Sequence, residues 1–97
     1  MNNVYFEIKN YMDAGGGDYR NWYTGIACDP RSRLFAQHQV AEQGGAWIYR
    51  DAGNDTSARA VEQALLALGC KGGPCGGDCS TRFVYAYRIT SATVEAA

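Results

Sequence analysis

Long hydrophobic runs are missing from this sequence. No apolar run exceeds five residues, which excludes a membrane-spanning helix of about 20 apolar residues. An excess of basic residues is missing too. Nine Lys and Arg face ten Asp and Glu, a formal net charge of −1. That excludes a coat protein that clamps nucleic acid by bulk charge, but not a local basic cluster. Internal repeats, linker-like stretches and long charge runs are absent as well. The first residues carry neither a basic segment nor an apolar one of secretory type, so no leader is expected. The four cysteines are then expected as thiols in a reducing, cytoplasmic compartment rather than as a disulfide framework. What is present is 46% hydrophobic and 12% aromatic residues in a chain of 97. That is enough for one self-sufficient domain, with a core over about residues 3–89 and a tail over 90–97.

The aromatic and β-branched run from Asn3 to Lys9 reads as a strand, and Asn10 to Arg20, with its Gly15 to Gly17 run, as a hairpin connection. Trp22 to Ala27 reads as a second strand. Asp29-Pro30 marks a helix start, the Asp as N-cap and the Pro at the first helical position. That helix is expected over about 30–42, with Leu34, His38 and Ala41 on one face. A short strand follows over Ala46 to Arg50. Asp55, Thr56 or Ser57 is expected to cap a helix to about Leu68, with Ala58, Val61, Leu65 and Leu68 as its core stripe and Gly69 as a left-handed terminator. Gly72 to Cys79 is a glycine-rich loop without the Gly-Lys-Ser/Thr of a phosphate-binding loop, and Arg82 to Ile89 reads as a last strand. The fold class is therefore α/β of the α+β kind. A small mixed or antiparallel sheet with flanking helices is expected, in the order β-β-α-β-α-β.

Chemistry concentrates in Trp22-Tyr-Thr-Gly-Ile-Ala-Cys-Asp-Pro-Arg-Ser-Arg-Leu-Phe-Ala-Gln-His38. A strand ends in Tyr-x-Gly, and a capped helix follows that carries Arg33 and His38. Gly25 is read as letting the backbone turn tightly beside an open site. Glu62 sits beside the apolar stripe of the later helix. In this order and spacing the chain resembles the GIY-YIG nuclease family over roughly residues 3 to 89. Val4-Tyr5-Phe6 and Tyr23-Thr24-Gly25 would be the signature strands. Arg33 falls eight residues after Gly25, as in that family, His38 matches its Arg-x-x-x-x-His variant, and Glu62 matches its acidic metal ligand.

The resemblance implies an endonuclease that hydrolyses DNA phosphodiester bonds with one divalent ion, Mg²⁺ or Mn²⁺. Glu62 would hold that ion, and Arg33 would grip phosphate oxygens through its planar fork. Tyr5 or Tyr23 would orient or deprotonate the attacking water, with His38 sharing that relay. Gly25, Arg31 and Arg33 would face the DNA, with Arg20, Arg82 and Arg88 adding local positive potential. Asn3 stands in place of the usual first glycine and no Asn follows Glu62. These departures motivate the alternative, an inactive domain of this type that binds nucleic acid or protein. Specificity in so small a domain would come from a dimer, a partner or substrate shape. Cys70-x4-Cys75-x3-Cys79, with Cys28 or His38, departs from the Cys-x2-Cys spacing of structural zinc, so zinc is not expected.

Overall fold

The computed structural model describes residues 3–15, 18–41, 43, 45–72, 82–90 and 93. Helix α1 spans Val4–Ala14, a 3₁₀ turn Tyr19–Asn21, strand β1 Trp22–Ala27, a π-helical turn Ser32–Gln37, β2 Trp47–Asp51, α2 Asp55–Leu68 and β3 Phe83–Arg88. The three strands form one antiparallel sheet in the order β1-β3-β2. The α+β class with a small antiparallel sheet is thus the one expected from the sequence. Most of the glycine-rich segment, with Cys75 and Cys79, and most of the tail lie outside the described residues.

The first element corrects the sequence reading. Residues 3–9 are not a strand: Asn3 precedes α1 as its N-cap, the rest belong to the helix, and Tyr5 is helical. Val4, Ile8 and Met12 recur every fourth residue and are all buried on one face of α1. That helical spacing outweighs the strand preference of Val4, Tyr5, Phe6 and Ile8, because burying a continuous stripe is worth more than local propensity.

Elsewhere the local signals decide the local structure. Asp29 accepts the Ser32 N–H at 3.1 Å, and Pro30 follows it at the first helical position. The winding then widens: the His38 N–H reaches Arg33 O at 2.8 Å, five residues back, as in a π-helix. Gln39 takes a left-handed φ of 57° and Val40 N–H closes back on Leu34 O at 2.9 Å. The regular turn ends at Gln37, not at residue 42. Leu34 and His38 are buried together as the pattern required, while Ala41 is exposed. In α2 the cap is Asn54, whose side chain accepts the Ser57 N–H at 2.8 Å, one residue ahead of the expected set. Gly69 ends that helix with φ 118°, where only glycine sits without strain.

The sheet divides the molecule into two layers. Its helical face is covered by α1, chiefly over β2, and α2, chiefly over β1. Val4, Ile8, Met12, Trp22, Ile26, Ile48, Val61, Leu65 and Val84 form the core there. The far face carries Tyr23, Tyr85 and Tyr87, which pack under Leu34 and Val40 of the segment that follows β1. Alternation along each strand sends odd-numbered residues to the far face and even-numbered ones to the helices.

Candidate functional site

The expected catalytic residues separate onto these two faces. Tyr5 packs against the core under α1, and Glu62 is on the buried side of α2. Tyr23 and His38 are on the far face, and Arg33 belongs to the π turn that covers it. A three-stranded sheet stands between the two sets. A phosphate held by Arg33 and a metal held by Glu62 would therefore occupy different layers. Glu62 offers one carboxylate oxygen without a hydrogen-bond partner among the described residues, a fit for a single metal ligand. As a centre shared with Arg33 and Tyr5 the residues do not fit, and no metal-dependent step is derived.

His38 is fully buried. Its Nε2 lies 2.9 Å from Tyr85 Oη and its Nδ1 3.2 Å from Tyr87 Oη. A neutral imidazole has one N–H and one lone pair, so one tyrosine accepts and the other donates, and every polar atom of the trio is engaged. Tyr23 packs on the same ring with centroids 4.8 Å apart. With both ring nitrogens held by tyrosines in a closed core, His38 is a structural link. Tyr23, only 4% exposed, is walled in with it.

Gly25 is likewise in the middle of β1, not at a turn. Its cross-strand partner is Tyr85. A Cβ at this position would lie 2.5 Å from Tyr85 Oη and 2.6 Å from its Cζ, so the glycine makes room for the ring.

Glu62 is 9% exposed, and burial pushes its carboxyl above the ordinary value of 4.5, with Arg59 pulling it back less strongly. A raised pKa means that the folded state binds more protons than the unfolded chain. Below the unfolded value both states are protonated and burial costs little. As pH rises from about 4.5 through the folded value, stability is lost. Glu62→Gln removes the charge at constant shape. We expect it to raise the melting temperature at pH 7 and leave it unchanged near pH 4. Parallel thermal unfolding at the two pH values checks this, and a variant less stable at pH 7 would show a stabilising charge partner.

The exposed chemistry lies at the β2 side of the far face. Trp47 and Tyr49 stack nearly parallel, 9° apart with centroids at 6.0 Å. Phe35 meets Trp47 edge-on at 5.0 Å, and Phe83 meets Tyr49 edge-on at 6.3 Å. All four rings are half-buried. Two exposed guanidinium groups flank this ladder: Arg31 lies 5.1 Å over Phe35 and Arg82 5.5 Å over Phe83. Arg82 also pairs with Asp51 at 3.0 Å. Arg31 was expected at a phosphate-facing surface; its aromatic neighbours were not. The signal for them was Trp47-x-Tyr49 and the Arg82-Phe83 step, aromatic residues at the two-residue spacing that shares one sheet face.

The fold and these surfaces define the class: a small α+β domain with one face of its sheet closed by helices and the other, among the described residues, only partly covered. No family model, curated protein or solved structure matches the chain. Among the described residues no helix is long and apolar enough to cross a membrane.

Proposed function

We propose that this domain is a binding module for single-stranded nucleic acid. The observation that carries the reading is the ladder Phe35–Trp47–Tyr49–Phe83 with Arg31 and Arg82 at its ends. Aromatic rings on an open sheet face stack with bases, while interleaved guanidinium groups take phosphates. Duplex DNA keeps its bases stacked internally and offers nothing to such a ladder. The alternating residues of β2 build it because a strand presents every second side chain to one face. Among the described residues exposed Cys28 and buried Cys70 are free thiols; a reducing, cytoplasmic setting forms part of the proposal.

Stacking contributes about 1–3 kcal/mol per base, so Trp47→Ala should weaken binding of a fluorescent single-stranded oligonucleotide about tenfold or more in an anisotropy titration. With two arginines on phosphate, the logarithm of affinity should fall against the logarithm of salt with a slope of about −1.4. Equal affinity for a duplex, or no effect of Trp47→Ala, would overturn the reading.

DNA cleavage is a second reading, one in which Glu62 would act without Arg33 and Tyr23 across the sheet; the observation that favours it is a Glu62 carboxylate oxygen with no hydrogen-bond partner among the described residues. It is tested by incubating the protein with single-stranded and branched DNA and Mn²⁺. Cleavage abolished by Glu62→Ala would establish it over simple binding; uncut substrate leaves the binding reading alone.

A further inference from the structure

The two edges of the sheet are closed in different ways. Along β1 the chain covers itself with backbone. The Lys71 N–H donates to Trp22 O and the Thr24 N–H to Lys71 O, both at 2.8 Å, a parallel bridge opposite Tyr23. Beyond β2 no further strand lies among the described residues. The Arg88 N–H bonds Ala46 O and the Ala52 N–H bonds Arg82 O, so even-numbered residues of β2 bond β3. The backbone donors and acceptors of Trp47, Tyr49 and Asp51 therefore turn outward, and an edge of this kind invites another strand.

Two side chains stand in its way. Tyr11 Oη of α1 accepts the Trp47 N–H at 3.1 Å. Arg50 Nη1 donates to Tyr49 O at 2.8 Å, while Arg50 Nε holds Glu7 of α1 at 3.0 Å. The first contact occupies a main-chain donor that an antiparallel partner needs, and the second occupies an acceptor. Tyr11, Arg50 and Glu7 are all exposed, so these contacts can open without disturbing the core.

We propose that Tyr11 and Arg50 lock a self-pairing edge. Once both are released, β2 pairs antiparallel with β2 of a second copy about a two-fold axis at Tyr49. The occupant is a second copy for a geometric reason. The outward residues Trp47, Tyr49 and Asp51 are symmetric about Tyr49, the middle of this five-residue strand. A two-fold axis there sets Tyr49 against its own equivalent and Trp47 against the equivalent of Asp51, so one set of outward groups serves both strands. The Trp47 N–H and Tyr49 O held by the locks are part of that ladder. Because Lys71 already bridges β1, the pairing uses the β2 edge of each copy and closes at two rather than growing into a fibre. It engages backbone at the edge and is independent of base stacking on the far face.

The test compares the native chain with Tyr11→Ser/Arg50→Ser by sedimentation and by amide hydrogen exchange read at Tyr49. The native chain should sediment as a monomer of 10.6 kDa, with Tyr49 exchange independent of concentration. The double variant should approach twice that mass as concentration rises, and exchange at its Tyr49 amide should slow in parallel. Where the serine variant loses its native circular dichroism, Tyr11→Phe/Arg50→Gln, which keeps a ring and a polar stem, is read by the same criteria. A native chain that already dimerises would overturn the locks. A folded double variant that stays monomeric would overturn the self-pairing edge. Association with unchanged Tyr49 exchange, or growth beyond two copies, would overturn the two-fold pairing of β2.

Discussion

Replacing His38 by alanine is expected to lower the unfolding free energy by about 3–5 kcal/mol. The side chain is fully buried, so its removal leaves a cavity that a sheet and a π turn cannot easily collapse. It also strips the Tyr85 and Tyr87 hydroxyls of the partner they share. Each hydrogen bond to the imidazole that is lost adds about 0.5–1.5 kcal/mol to that cost. Against a typical total of about 5–15 kcal/mol, this is a large fraction. In thermal unfolding it should appear as a fall of about 12 °C or more, at about 4–8 °C per kcal/mol for a domain of this size. Tyr85→Phe and Tyr87→Phe should each cost less than His38→Ala, because the ring volume stays. In His38→Ala, adding Tyr85→Phe should cost little more, since the hydroxyl it removes is already without its imidazole. A catalytic histidine in an open cleft would behave differently: its loss would leave stability nearly unchanged.

Gly25→Val should be comparably severe for the opposite reason. A side chain at this position enters the space of the Tyr85 ring, at 2.5 Å from Oη, 2.6 Å from Cζ and 3.0 Å from Cε2. The ring cannot simply swing away, since it is fully buried and its hydroxyl is held by His38. Overpacking of this kind costs about 1–3 kcal/mol or more, beyond which displacing the ring breaks the tyrosine–histidine link. Urea unfolding should show a lower midpoint with an unchanged slope. Gly25→Ala combined with Tyr85→Leu should be less destabilised than the two single losses summed, because the shorter side chain vacates the space. Strict additivity would mean that the ring is not what the glycine accommodates.

Both predictions bear on residues that the sequence marks as functional and the structure places in the core. Arg33 and His38, at fixed distances from Gly25, fit a nuclease signature, and the resemblance could be read from spacing alone. Spacing does not say which face of a sheet a residue occupies. Once residues 3–9 form a helix, Tyr5 is carried to the helical layer, and Glu62 on α2 joins it there. Tyr23, an odd-numbered residue of β1, is sent to the other side. The aromatic ladder was hidden for a related reason. Phe35, Trp47, Tyr49 and Phe83 come from three separate segments, and only the β2–β3 pairing and the fold-back of the π turn bring their rings together.

By itself the sequence determined the α+β class, the strands near 22–27, 47–51 and 83–88, the Asp29-Pro30 start and the Gly69 stop. Each is set by groups a few residues apart: a side-chain cap, a fixed proline φ, a glycine without Cβ, an alternating or fourfold apolar pattern. The tertiary structure alone decided that the first segment is a helix. It also decided that His38 and Gly25 meet Tyr85, and that the exposed aromatic residues gather around β2, with Phe35 and Arg31 folded onto it. Those outcomes depend on what lies across the sheet, and the burial of whole faces overrides local preference when the two disagree.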